Sequence, residues 1–485
     1  MKKSFLYIFL VCVSLLFLTF NLKSQDIEAK IKIVSIKPAI VQVDGKFLNK
    51  NLASFNWSFL RDYADVSGIG SRFSKLNLID EKGNKISSQE LIPGEFQSNQ
   101  IAEKFSYEVK LDVISDITSM AHVSWLGEKQ GLLMLNDIFP QWQVKENQQL
   151  RAKLKLEIPR DWRIIVNENK ISDDEFDVAD ISKSVFFVGR DFREKSVWFG
   201  KSQMNFLISG EWKFSDEEAL QIVSSILQEH RKVFGELAFP KAQIFVLPFL
   251  KETNPDRWRA ETRGANLTIV SGSSQYKSVA KQRLSEQLRH EIFHLWIPNG
   301  LALNGNYDWF FEGFTIYQAL RAGVKLQQIR FQDYLNTLSR AFDNTQAASK
   351  KFKMSLLDAS NKRWDGTTSL IYNKGIIVAF LCDLELLEKN GDSIEDVLKK
   401  IYKKHKIPNE FQDGNMAILK ILKDYDELRP IIENYVESTT QIDLTQELTP
   451  FGIEVKNVGN ETKLQINENL SSKQKDLLKK LGYNQ

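Results

Sequence analysis

A change of period near residue 210 limits this chain to few architectures. From about residue 26 the sequence runs in short alternating stretches, "KIKIVSIKPAIVQV", "FSYEVKLDV", "LRAKLKLEI" and "SVFFVG", separated by Gly, Pro, Asn and Asp. A period of two between turn-forming residues marks half-buried strands. The segment "SGEWKFSDEEALQIVSSILQEHRKVFGEL" then offers Ser215, Glu217 and Glu218 as a helix start, and its apolar residues return at helical spacing. Strands reappear at "KAQIFVLPF" and "ANLTIVSG", and helical patterns dominate from Val279 onward. Strands followed by helices give an α+β class. The pattern predicts an N-terminal β-rich, sandwich-like domain over residues 25–210, a mainly helical domain over 211–440, and a short C-terminal tail over 441–485 that ends in the charged stretch "SSKQKDLLKKLGYNQ". No internal repeat or low-complexity segment interrupts this order.

The first residues, "MKKSFLYIFLVCVSLLFLTFNLKSQ", pair a dibasic start with an apolar run from Phe5 to Phe20 and a polar exit at Ser24. This is the pattern of a secretory signal peptide over residues 1–24, and its apolar run is short beside the ~20 residues of a spanning helix. The expected location is the periplasm or cell envelope, with membrane contact only if the segment stays uncleaved as an anchor. Cleavage removes Lys2, Lys3 and Lys23 and takes the formal charge from +3 to neutral. It also removes Cys12, which leaves Cys382 alone, so no intramolecular disulfide forms and packing supplies the stability. Near-neutral charge with 42% hydrophobic and 11% aromatic residues describes a globular chain and gives a nucleic-acid partner no basic surface.

The stretch "VAKQRLSEQLRHEIFHLW" contains no Gly or Pro and stops at "IPNG", as a helix of ordinary length does. Residues four apart share a helix face with Cβ atoms ~5–6 Å apart, so His290 and His294 direct their imidazoles to one point. Glu291 lies ~100° round the helix, within reach of a water beside a metal and outside the ligand positions. Two histidines alone are as readily a core or surface pair. Catalytic zinc takes three protein ligands and keeps one position open. "NYDWFFEGFTIYQALRAG" offers the third at Glu312, on a helix expected from Trp309 to Ala322 with Asp308 as its cap. A lone carboxylate among Trp309, Phe310, Phe311 and Phe314 costs several kcal/mol to bury, and a metal supplies its partner. Two histidines on one helix and a carboxylate on the next give the His, His, Glu set of zinc hydrolases, with one zinc ion per chain.

"HEIFHLW" followed by "WFFEGFTIY" and "IYNKGIIVAFLCDLELLEKNG" resembles the glycyl aminopeptidase family of thermolysin-like zinc peptidases, the gluzincins, over roughly residues 200 to 430. The resemblance implies a thermolysin-like zinc peptidase domain in which His290, His294 and Glu312 bind zinc, Glu291 is the general base and Tyr372 stabilises the tetrahedral intermediate. Lys374 and Gly375 then support the turn of helix behind Tyr372. The family binds a substrate's free α-amine with an acid on a Gly-rich segment. Here Gly264, Ala265 and Asn266 occupy that segment as the expected substrate-binding residues, with Asn266 near the place of the acid and Glu261 out of register. The stretch Ala265 to Val270 reads first as a plain sheet strand, with pairing to an extended substrate backbone as the alternative. About forty residues follow Asp443, which leaves no room for the complete PDZ domain that the family commonly carries at its C-terminus.

Two functions from different classes follow. One is an exported zinc metallopeptidase, aminopeptidase-like, acting on peptide or protein substrates. The other is a catalytically inactive peptide-binding or scaffold protein that retains the peptidase fold, motivated by the absent amine-binding acid. A closed structural zinc site is disfavoured because such sites take four protein ligands, often cysteines. His122, His230 and His405 have no motif around them and read as ordinary core or surface histidines.

Overall fold

The computed structural model describes residues 24–113, 117–142, 148–251, 253–255, 257–389 and 391–484. The expected signal segment lies outside them apart from Ser24. Among the described residues, no helix is long and apolar enough to cross a membrane.

The N-terminal part is built on an eight-stranded sheet. At its centre β1 (Ile27–Ile36) pairs antiparallel with β2 (Ala39–Phe47) and parallel with β3 (Ala152–Glu157). Alternation sets the layers: Ile27, Ala29 and Ile31 of β1 and Val41 and Val43 of β2 are buried on one face. A four-stranded sheet covers that face. Its strand Gln130–Met134 sends Leu133 into the core of the large sheet. Its other face sends Leu132 and Met134 toward Leu207, Phe245 and Val270 of a third sheet. The short sheet is therefore buried on both sides, and three β layers stack on one another.

The third sheet carries the site. It contains β4 (Phe192–Phe199), β5 (Ser202–Ser209), β6 (Lys241–Pro248), β7 (Trp258–Arg263) and β8 (Asn266–Ser271). Their order is β4-β5-β6-β8-β7. The period change at residue 210 marks the first helix and not the edge of this sheet: β5 pairs parallel with β6, so residues 192–209 belong with the helical part. A strand's alternation reports burial and not which sheet it joins. Helix α1 (Asp216–Phe234) makes the crossover from β5 to β6, and Ser215 and Glu218 close a capping box at its start. β8 is interior, paired to β6 and β7 and buried at every residue. β7 is the edge. The reading of Ala265 to Val270 as a plain sheet strand holds, and the alternative of a free edge there is excluded: a continuous apolar run such as "LTIV" marks a strand covered on both faces, whereas the more polar "WRAETR" lies outside it.

Below the sheet lie α2 (Lys277–Phe293), α3 (Asp308–Lys325), α4 (Phe331–Lys351) and α5 (Thr368–Lys389). α5 is buried along most of its length, including Cys382, and forms the centre of the helical core. Residues 441–484 join that core. A hairpin of Ile453–Val458 with Glu461–Ile466 meets α4, where the Ser339 hydroxyl accepts from Leu464 N at 3.1 Å, and Leu477, Leu478 and Leu481 are buried.

Two glycines set the distance between α3 and α5. A Cβ on Gly313 would lie 2.5 Å from Gly375 Cα, and one on Gly375 would lie 2.7 Å from Trp309 O. The backbones touch there because neither residue has a side chain. Gly313 adjoins Glu312, and Tyr372 is one turn before Gly375. Gly375→Ala is expected to force the helices apart and to lower stability by about 1–3 kcal/mol. Urea unfolding of the purified variant measures this, and a wild-type midpoint would show that the contact yields freely.

Candidate metal centre and cleft

α2 presents His290 and Glu291 in its last turn, and its regular ladder ends at Phe293, earlier than the uninterrupted sequence predicts. Pro298 ahead disfavours continued helix. His294 keeps helical angles (φ −62°, ψ −15°), and its N–H bonds back to Glu291 O at 3.2 Å, so the final turn is tightened. The imidazoles converge regardless: the two Nε2 atoms are 3.1 Å apart and the rings are nearly perpendicular. His294 Nδ1 faces Ile297 O at 2.9 Å. A proton on Nδ1 serves that bond and leaves Nε2 as a lone-pair donor.

α3 begins at Asp308 rather than being capped by it, and continues past Gly323 to Lys325. Gly323 is a packing position, since a Cβ there would sit 3.0 Å from Arg289 Nε. Glu312, 5% exposed, places Oε2 3.5 Å from His290 Nε2 and 3.6 Å from His294 Nε2. That oxygen is buried and has no hydrogen-bond partner, while Oε1 accepts from Arg363 at 3.0 Å. Burial alone raises the Glu312 carboxyl, yet the two histidines and Arg363 hold it well below the usual carboxylate range. It is an anion, and its Oε2 and the two Nε2 atoms face a common point.

These three ligand atoms lie within 4.8 Å of one another. Tetrahedral zinc with bonds of ~2.0–2.1 Å sets its ligand atoms ~3.3 Å apart, close to the 3.1, 3.5 and 3.6 Å found here. The donor chemistry, the spacing and the unpartnered Oε2 all fit that ion. Asp308, expected as a cap, instead holds Arg363, which in turn donates to Glu312. Thr315 bonds to Phe311 O on its own helix.

Glu291 is buried, and the Thr262 hydroxyl donates to its Oε2 at 2.8 Å. Tyr372 lies inside α5 rather than ahead of it, and its hydroxyl oxygen accepts from Arg363 at 2.9 Å. Burial pushes the Tyr372 phenol well above its ordinary value, so it is a neutral donor. His290, Glu291 and Tyr372 line two adjoining cavities of about 260 and 690 Å³ that share these residues with His122, Ala260, Arg363 and Trp364. Ala260, Glu261 and Thr262 of edge strand β7 line the smaller one.

Gly264, Ala265 and Asn266 line neither cavity. Gly264 N donates to Asn299, and Asn266 is buried with its amide on Lys183 O, toward the N-terminal part. His122 is no ordinary histidine. With Tyr63 it reaches the cleft from the N-terminal part and holds Glu261, through His122 Nδ1 at 2.7 Å and the Tyr63 hydroxyl at 2.7 Å. Arg263 adds a contact of 2.7 Å. Burial works against the Glu261 anion, but Arg263 and then His122 bring it down to about 2. The signal that could have found this cluster is the alternation of Glu261 and Arg263 on one face of a strand otherwise close to an apolar core.

No family model and no curated protein matches the sequence. Solved structures do match the fold. An aminopeptidase N family protein from Idiomarina loihiensis is similar with a TM-score of 0.73 at 14% identity, over 89% of this chain and 79% of that one. An M1 zinc metallopeptidase from Deinococcus radiodurans, in a Glu-to-Ala variant bound to a Tyr-Ser-Ala substrate, is similar with a TM-score of 0.55 at 12% identity, over 87% of this chain and 95% of that one. The unsubstituted Deinococcus enzyme gives 0.52 at 12% identity. The architecture is thus that of the M1 gluzincin-type peptidases, a β-rich domain followed by a helical one.

His230 supports the metal helix from below. Its Nε2 donates to Arg289 O at 3.2 Å, its ring is fully buried against Phe293 and Trp296, and burial pushes it down to about 4. The unfolded chain then takes this proton at higher pH than the folded one. The contribution is complete above ~6.5 and is lost as pH falls toward 4, by about 3 kcal/mol. Urea unfolding at pH 7 and pH 4.5 is expected to show a larger loss for wild type than for His230→Leu. Equal losses would show that His230 is not held neutral.

Proposed function

We propose that this chain is an exported zinc metallopeptidase that hydrolyses peptide bonds, aminopeptidase-like in character. The observation that carries the reading is the buried Glu312 Oε2, without a partner and aimed at the Nε2 atoms of His290 and His294, in a cleft that also holds Glu291 and Tyr372. The Deinococcus neighbour's Tyr-Ser-Ala substrate supports a peptide as the class of ligand. Export rests on the leader-like first residues.

His290, His294 and Glu312 would hold the ion. Zinc bound there supplies Lewis acidity, which polarises a carbonyl and brings the pKa of a water to ~7. Glu291 accepts the proton of the attacking water as the new C–O bond forms, then passes it to the amine nitrogen as the C–N bond breaks. Thr262 fixes Oε2 of that carboxylate and leaves Oε1 for the water. The Tyr372 hydroxyl donates to the oxygen that gains charge in the tetrahedral intermediate. Edge strand β7 offers backbone groups to an extended peptide beside the base, which aligns the scissile bond without reading its side chains.

One observation favours endopeptidase action as a second reading. Glu261, the carboxylate of the cleft closest to an amine-binding role, already accepts from Tyr63, His122 and Arg263, and Arg263 balances its charge. Turnover of free and N-acetylated forms of one peptide separates the two actions: loss on acetylation supports the aminopeptidase, and retention supports the endopeptidase.

Glu291→Gln is expected to lower turnover by ~10²–10⁴ while zinc still binds, and Tyr372→Phe to lower kcat by ~10²–10³. Peptide hydrolysis with parallel zinc analysis checks both. Binding of peptide without hydrolysis by the wild type would favour the inactive binding protein.

A further inference from the structure

We propose that Arg363 is a positioning residue that sets the donor oxygen of Glu312 and the hydrogen-bond direction of Tyr372 together. This rests on the zinc peptidase reading above. Arg363 opens a short 3-10 turn just before α5. Its guanidinium enters the cleft with 18% of the side chain exposed. One terminal nitrogen contacts Asp308, which holds the group in place. The other donates to Glu312 Oε1 at 3.0 Å and to the Tyr372 hydroxyl oxygen at 2.9 Å. The plane packs near the rings of Trp364 at 5.0 Å and Tyr372 at 5.7 Å.

Two consequences follow from donor and acceptor counts. Arginine only donates. Glu312 has one oxygen committed to Arg363, so Oε2 alone is free to face His290 and His294. A carboxylate pinned this way is a one-oxygen ligand with a fixed orientation. Tyr372 has one O–H. Because Arg363 occupies the hydroxyl oxygen as a donor, that O–H turns away from the guanidinium: the Glu312 carboxylate accepts it in the resting site, and a substrate carbonyl oxygen in the cleft beside Glu291 would compete for it. The nearby positive charge also strengthens the phenol as a donor. Lysine cannot replace this arrangement, since a compact ammonium lacks the planar fork that spans Asp308, Glu312 and Tyr372.

The test compares wild type, Arg363→Met and Arg363→Lys, first by zinc competition against a chromophoric chelator. Zinc affinity is expected to fall ~10–100-fold in Arg363→Met, and by a smaller factor in the same direction in Arg363→Lys. Unchanged or tighter zinc in either variant would overturn the role toward Glu312. Should Arg363→Met fail to fold, Arg363→Lys decides, and wild-type affinity there is the contrary result. Peptide turnover then reads the role toward Tyr372. At saturating zinc, Arg363→Met is expected to lower kcat ~10–100-fold with KM little changed, but to add less than ~3-fold on a Tyr372→Phe background, because groups that act as a unit are not additive. Full additivity would show that Arg363 does not act through the hydroxyl. Absence of turnover in the wild type would instead remove the peptidase reading, while the zinc competition still judges Arg363.

Discussion

The backbone contact between Gly313 and Gly375 is the constraint on which the site depends, because it fixes how closely α3 and α5 approach. Glu312 is the neighbour of one glycine, and Tyr372 precedes the other by one turn. Separating the helices by even a methyl group would move a ligand oxygen away from the histidines and a hydroxyl away from its donor. The burial that makes this contact tight also makes the carboxylate costly. Glu312 is excluded from water among aromatic rings, and one of its oxygens finds no partner among the described residues. Packing therefore creates a demand for positive charge, which Arg363 meets at one oxygen and a cation held with His290 and His294 would meet at the other.

The three stacked β layers give the cleft its second wall. The middle sheet is buried on both faces, which packs the N-terminal part against the sheet that carries the site. That packing lets Tyr63 and His122 reach across and hold Glu261 beside the His290, His294 and Glu312 group. Edge strand β7 is thus fixed from both sides, by this cluster on one face and by the Thr262 contact to Glu291 on the other. Glu291, held by an edge strand, keeps its carboxylate in register with whatever backbone pairs there.

Much of the site was legible because it follows local rules. His290, Glu291 and His294 are related by helical spacing, and Glu312 stands out as an acid in an aromatic run. The α+β order and the strand-to-helix change were legible for the same reason, as periods in the chain. What escaped depends on contacts between distant segments. Arg363 sits in "NKRWDG", with no period or motif to mark it, and its importance appears only when that turn folds against α3. His122 and Tyr63 lie in the β-rich part, far in sequence from the residues they meet. Strands β4 and β5 look like their predecessors, so alternation could not assign them to the sheet that carries the site. Gly264 to Asn266 were expected at the substrate because of a family pattern, but β8 lies inside the sheet and its neighbour β7 takes the edge.

The account turns on whether the His290, His294 and Glu312 group holds a metal. Elemental mass spectrometry of the purified protein, beside a His290→Ala, His294→Ala double variant, measures this directly. One zinc per folded chain, absent from the double variant, is the expected result. No zinc in wild type after add-back, or equal zinc in the double variant, would contradict it.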